Sequence, residues 1–136
     1  MKMLLALLAL VTLPLHAAAA DVLTRTNEER SVKVEVTPLN LSAAAESLDF
    51  RVVLETHAVD LDYDLTKIAV LRDDRGNAFR ASTWQGPAGG HHVEGVLRFA
   101  QARRIMEPSP AYLELQIEGL AGAPRRSFRW ESKAFR

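Results

Sequence analysis

The sequence predicts an all-β fold, a seven-stranded antiparallel immunoglobulin-like β-sandwich that follows a cleaved signal peptide. Three observations predict it. Short runs of alternating apolar and polar residues recur from Val32 onward, the period of half-buried strands. Gly, Pro, Asn and Asp residues punctuate the runs and supply turn chemistry. No amphipathic helical stretch of useful length intervenes, so the strands have only one another to pack on. A small barrel is the competing closure of the same strands.

The first twenty residues stand apart from the fold. Met1-Lys2-Met3 is a short positive start, Leu4 to Leu15 is apolar except at Thr12 and Pro14, and Ala17 to Ala20 are small residues before Asp21. This is the pattern of a secretory signal cleaved after Ala20. The apolar run is shorter than the ~20 residues that span a bilayer, and no cysteine follows it to carry a lipid. The expected organisation is a signal peptide over 1–20, a flexible leader over 21–31, a β-sandwich domain over 32–132 and a tail over 133–136. The mature chain is expected to be soluble, periplasmic or secreted, with no membrane attachment after signal cleavage. It is long enough to build one core without staples.

The strands follow in order. Val32, Val34 and Val36 alternate with Lys33, Glu35 and Thr37, and Pro38 ends the run. Leu39 to Ser47 is a connection in which Ala43-Ala44-Ala45 suggests a short helical turn. Leu48, Phe50, Val52 and Leu54 share a face in the second strand, opposed by Asp49, Arg51 and Glu55, with Val53 as the exception; His57 closes it. Lys67 to Arg72 is nearly continuously apolar, which suits a central strand covered on both faces. Asp73-Asp74-Arg75-Gly76-Asn77 is a turn, with aspartate bonding to local backbone and Gly76 supplying positive φ. Phe79 to Trp84 is the fourth strand. After Gly86-Pro87-Ala88-Gly89-Gly90 the fifth strand alternates from Val93 to Phe99. Pro108-Ser109-Pro110 stops any helix in the following link. Tyr112 to Glu118 and Ser127 to Trp130 complete the set.

Composition excludes several function classes. Lys plus Arg and Asp plus Glu each total 17, so no net field favours nucleic acid. The chain has no cysteine. It has no thiolate nucleophile, Cys-rich zinc site or blue-copper thiolate ligand. None of its serines sits in Gly-x-Ser-x-Gly, and no phosphate loop or dinucleotide fingerprint occurs. The expected protein is not an enzyme.

One constellation carries possible chemistry. Antiparallel strands put alternate connections at the same end of a sandwich. The loops after the second, fourth and sixth strands, 58–65, 85–90 and 119–124, then share an end, bringing His57, Asp60, His91 and His92 together. Neutral imidazoles with a carboxylate suit Cu²⁺ or Zn²⁺. His91 and His92 point to opposite faces of a regular strand. Both serve one centre only where the strand start is irregular, as Gly89-Gly90 permits. The competing reading makes the histidines structural and Asp60 and Asp64 loop braces. The run Asp60-Leu61-Asp62-Tyr63-Asp64 superficially matches a calcium loop but lacks its glycine and bidentate glutamate. Glu94, two residues after His92, is a candidate to act on a metal-bound water. Trp84 and Trp130 are expected in or beside the core, and Arg125, Arg126 and Arg129 read as a charged strand edge that blocks aggregation.

The runs Thr-His-Ala-Val-Asp-Leu-Asp-Tyr-Asp-Leu (56–65) and Gly-Gly-His-His-Val-Glu-Gly-Val-Leu-Arg-Phe (89–99), with Trp84 and Ser-Phe-Arg-Trp (127–130), resemble those of small exported bacterial β-sandwich domains. The resemblance covers most of the mature chain. It implies an autonomous exported β-domain and supplies no activity and no site residues. The functional expectation is an exported, non-enzymatic binding module whose partner is a Cu or Zn ion held at one end of the sandwich. The alternative is an accessory or adhesion-like module of the cell envelope that binds a protein partner.

Overall fold

The computed structural model describes residues 22–136, so the signal peptide expected over 1–20 lies outside the described residues. Among the described residues nine strands form two antiparallel sheets, where seven are expected from the sequence. They are β1 (Arg25–Glu29), β2 (Val32–Pro38), β3 (Ser47–Thr56), β4 (Ala69–Asp73), β5 (Ala78–Arg80), β6 (Thr83–Gln85), β7 (His92–Ala100), β8 (Tyr112–Glu118) and β9 (Arg125–Glu131). Two short helices, α1 (Leu65–Ile68) and α2 (Ala102–Met106), join β3 to β4 and β7 to β8. The first sheet has the order β1-β2-β3-β7-β6 and the second β5-β4-β8-β9. No helix among the described residues is long and apolar enough to cross a membrane.

Two corrections account for the strand count. Residues 25–29, expected as part of a flexible leader, form β1. This strand is polar throughout, so no hydrophobic alternation announces it. Hairpin pairing with β2 holds it, from Arg25 opposite Val36 to Glu29 opposite Val32. The run Phe79–Trp84, expected as one strand, divides at Ala81-Ser82. β5 pairs with β4 in the second sheet, and β6 pairs with β7 in the first. The amide and hydroxyl of Ser82 both donate to the carbonyl of Arg98, at 2.8 and 3.0 Å, and fix the crossing. One chain segment thus bridges the sheets at that edge. At the opposite edge Arg25 Nε donates to the carbonyl of Arg129 at 3.1 Å.

Smaller differences have similar local causes. Lys67 and Ile68 belong to α1, because Asp64 caps that turn by accepting from the Thr66 amide at 3.0 Å. A helix of five residues, α2, fits before Pro108. The tail is pinned, with the Arg136 amide donating to the carbonyl of Leu41 at 2.7 Å.

The core lies between the sheets. Val34, Val36, Phe50, Leu54, Leu97 and Phe99 face Leu71, Leu113, Leu115, Ile117, Phe128 and Trp130, all buried. Phe50 meets Phe99 edge-on at 5.7 Å and Trp130 at 5.3 Å, so a single ring touches both sheets. Trp130 satisfies its indole N–H on the carbonyl of Leu23 at 2.6 Å. Val53 faces outward yet is buried, flanked in register by Glu35 and Glu94, whose aliphatic stems can cover it. β4 is a central strand with Val70 and Leu71 both buried, as its continuous apolar run implies.

Arg126 departs furthest from expectation. It reads as part of a charged edge but is fully buried, while Arg125 and Arg129 stay outside. Phe128 and Trp130 point inward, and Arg126 lies on their face by the period of two. Its Nη1 donates to Asn27 Oδ1 at 2.7 Å and to the carbonyl of Val32 at 3.0 Å. Its Nη2 donates to the carbonyls of Glu29 at 2.8 Å and Leu120 at 3.4 Å. These bonds grip both flanks of the two-residue β1–β2 turn. There Arg30 and Ser31 both adopt the left-handed conformation, with φ of 53° and 60°, a geometry that normally selects Asn-Gly.

Asp73 organises the β4–β5 turn as its sequence implies. Its Oδ1 accepts from the amides of Arg75 and Asn77, both at 2.9 Å, and its Oδ2 from Asn77 Nδ2 at 2.7 Å. Gly76 adopts a φ of 82°.

Arg126→Met keeps the volume but strands buried carbonyls, and should lower unfolding free energy by about 3 kcal/mol in urea denaturation. A change under about 0.5 kcal/mol, ordinary for a surface substitution, would contradict the clasp. For Asp73, burial opposes ionisation, but the bonds from Asn77 and Arg75 outweigh it and hold the carboxyl below its ordinary value of 3.8. A depressed native value stabilises the fold above the unfolded value, and that contribution is lost as pH falls through the folded one. The stability gap between wild type and Asp73→Asn should therefore be widest near neutral pH and close below about pH 4. A gap independent of pH would refute this.

Candidate functional site

The histidines meet because β3 and β7 pair antiparallel in a register that sets Glu55 opposite His92. One residue further on, the Thr56 amide donates to the carbonyl of His91 at 2.9 Å. His57 follows immediately. His57, His91 and His92, all exposed, line one open cleft of about 260 Å³ with Glu55 and Thr56. His91 precedes the first residue of β7, after Gly89 and Gly90 with φ of 83° and 104°. That irregular start lets both neighbours reach the same cleft.

The three loops expected at one end do converge there. Asp60 Oδ1 accepts from the Gly90 amide at 2.7 Å, and the Leu61 amide donates to the carbonyl of Gly90 at 3.0 Å. A side chain at Gly89 would place its Cβ 3.4 Å from Asp60 Oδ1. The Tyr63 hydroxyl accepts from the Ala121 amide at 3.0 Å, tying in the β8–β9 loop. Thr56 Oγ1 donates to the carbonyl of Ser31 at 2.7 Å and joins the β1–β2 turn to the same end.

The expected ligands divide into two groups. The three histidines share the cleft. Asp60 is committed to Gly90, and Asp64 to Thr66, whose hydroxyl and amide bonds hold the Asp64 carboxyl below its ordinary value. These aspartates brace loops, and they do so separately. Glu94 faces Arg51 at 2.7 Å, and that bond holds it ionised and engaged rather than free to act on water.

The carboxylate that does stand at the cleft is Glu55. Its Oε1 lies 3.2 Å from His92 Nδ1, and its Oε2 lies 3.9 Å from Lys33 Nζ. It lies two residues before His57, on the same strand face by alternation, and that spacing is the sequence signal for it. Among the described residues no three His, Cys, Asp or Glu side chains stand close enough as placed to hold a metal ion. Binding there requires exposed imidazoles to rotate inward.

The glycine-rich turn also answers to Trp84. This half-buried ring lies against Gly86 and Gly95, and its Nε1 is buried without a partner among the described residues. A Cβ at Gly95 would lie 2.7 Å from the Trp84 ring and 2.7 Å from the Cα of Gly86. Trp84 therefore packs against the start of the glycine-rich turn and against β7 at Gly95. It lies beside the core, as its sequence implies.

No family model, curated protein or solved structure matches this chain.

Asp60→Ala should speed amide exchange at Gly90 and Leu61 and cost about 0.5–1.5 kcal/mol, with β3 core amides unchanged. Unaltered exchange at Gly90 would show that Asp60 does not hold the loops together.

Proposed function

We propose that this chain is an exported, non-enzymatic binding module of immunoglobulin-like architecture that works at its histidine end. The strand order supports the architecture. β2-β3-β7-β6 facing β4-β8-β9 follows the constant-type arrangement of four strands against three. β1 and β5 are additions at the sheet edges. The inter-sheet disulfide of antibody domains has no counterpart in a chain without cysteine, and the Phe50–Trp130 contact occupies the equivalent role of joining the layers.

The observation that carries the reading is the shared cleft of His57, His91, His92 and Glu55. Three imidazoles and a carboxylate are donors suited to Cu²⁺ or Zn²⁺. The resident carboxylate in this reading is Glu55. A second reading draws on a different observation: the cross-loop bonds of Asp60 and Tyr63 hold three loops as one platform, and Val59 is exposed on it. A platform of that kind suits a protein partner, with the histidines at its rim.

Calorimetric titration of Cu²⁺ and Zn²⁺ into the protein spanning 21–136 separates the two. Metal binding predicts one equivalent bound at micromolar or tighter affinity, lost in His57→Ala/His91→Ala/His92→Ala, weakened in Glu55→Gln and kept in Asp60→Asn. Weak binding indistinguishable between wild type and the triple variant would sink the metal reading and leave the protein-partner one.

A further inference from the structure

A groove of about 760 Å³ lies at the end of the sandwich away from the histidines, where β1 begins and β2 and β9 end. Val22, Leu23, Pro38, Leu39 and Ala134 supply its apolar lining. Arg25, Lys133 and Arg136 bring positive charge to it, and Glu131 is the one acidic side chain on it.

Three large apolar side chains are exposed among the described residues, Val22 at 72%, Leu39 at 54% and Val59. Two of the three line this groove. Exposed apolar side chains scattered singly are ordinary, but clustered ones mark binding surfaces. Leu23, Pro38, Leu39 and Ala134 also line an adjoining cleft of about 210 Å³ that reaches Leu41. The apolar track therefore continues past Leu39. Hydrogen bonds hold its walls. The Thr24 and Thr37 hydroxyls share one of 2.7 Å. The Leu39 amide donates to the carbonyl of Asp49 at 2.8 Å, and the Ser132 amide to that of Ala111 at 2.9 Å.

The guanidinium of Arg25 is placed by its own contacts. Its Nη1 donates to the carbonyls of Val22 at 3.0 Å and Thr24 at 3.1 Å, and its Nε to that of Arg129. Val22 is itself a lining residue, so these bonds hold the charge at the groove. Nη2 is left without an acceptor among the described residues. None of the ion pairs among those residues includes Arg25, Lys133, Arg136 or Glu131.

We infer that this groove binds an anionic amphiphile, an aliphatic chain that ends in a carboxylate or phosphate. The chain covers the track from Val22 to Leu39, and the head meets Arg25. The volume lies in the range of small-molecule pockets. The apolar lining favours a hydrocarbon chain, and three cationic side chains against one carboxylate favour a negative head. A guanidinium with free N–H groups pairs well with a carboxylate or phosphate. A free inorganic anion would leave Val22 and Leu39 uncovered. This inference is independent of the histidine reading.

The test is an amide NMR titration of the protein spanning 21–136 with decanoate below its micelle concentration, beside acetate and decyltrimethylammonium. Saturable shifts with decanoate should concentrate at residues 22–25, 37–41 and 131–134. Acetate has the head without the chain and should not saturate. Decyltrimethylammonium has the chain with the opposite charge and should bind at least about tenfold more weakly. Leu39→Ser should weaken decanoate binding by about tenfold, the loss of one covered leucine, and Arg25→Gln by a similar factor. Lys133→Gln should weaken it by about threefold, as for an exposed ion pair. Leu39 and Lys133 are exposed, so their variants should keep the wild-type spectrum elsewhere even if Arg25→Gln disturbs β1. Equal affinity for decyltrimethylammonium, decanoate shifts no stronger than those of acetate, or unchanged affinity in Leu39→Ser/Lys133→Gln would each overturn the proposal. So would a response to anionic phosphatidylglycerol vesicles without one to monomeric decanoate, which would make this surface a membrane contact. Concentration-dependent broadening at 22–25 and 37–41 without ligand would overturn it too, by placing a second copy of the chain there.

Discussion

A buried guanidinium holds this sandwich in register. Arg126 has its charge inside the fold and no carboxylate in contact among the described residues. Burial pushes its ionisation downward, and only the more distant charges of Glu29 and Tyr63 push back. Its partners are the amide oxygen of Asn27 and the carbonyls of Glu29, Val32 and Leu120, while its Nε remains buried without an acceptor. A buried charge of this kind is costly unless its donors are met. Meeting them forces the β1–β2 turn, the start of β2 and the β8–β9 loop to one point. From that point a short series of bonds leads to the histidines. Ser31 is held by Thr56, and Thr56 by His91. The cleft is built on the clasp.

The same economy closes the edges. Two open sheets would expose unpaired strand edges that invite association. Here the segment from β5 to β6 passes from one sheet to the other, and Arg25 links β1 to β9 across the far side. The outer faces are satisfied laterally. On the second sheet Arg72 donates to Gln116, Gln116 to Glu114, and Arg129 binds Glu114 while lying 3.8 Å over the Tyr112 ring. On the first sheet Arg98 binds Asp49 through two bonds, at 2.9 and 3.0 Å. These outer-face groups are thus matched to one another. One end of the sandwich instead gathers the loops that present His57, His91 and His92 at an open cleft.

Much of this was legible in the sequence because strands with a buried face announce themselves. Val32 to Val36, Leu48 to Leu54, Val93 to Phe99 and Leu113 to Ile117 all alternate and all face the core. The convergence of His57 with His91 and His92 followed from counting strand directions. It holds with nine strands because β1 precedes the others and β5 and β6 run in the same direction. Polar β1 was not legible, since hairpin pairing and Arg126 hold it rather than burial of its own side chains. The sheet crossing at Ala81-Ser82 was hidden because both halves of Phe79–Trp84 have strand character. Arg126 was misread through its charge, although its place two residues before Phe128 put it inside. Asp60 was recognisable as a loop residue, but its bond to Gly90 across thirty positions depends on tertiary contact that no local pattern carries.

The claim on which the functional account turns is that His57, His91 and His92 act as one site on a platform held from below. Imidazole NMR signals followed during addition of Zn²⁺ to the protein spanning 21–136 test it most directly. The account predicts that all three rings shift together and reach one common endpoint at a single equivalent of metal. Three independent midpoints, or rings that never respond together, would contradict it.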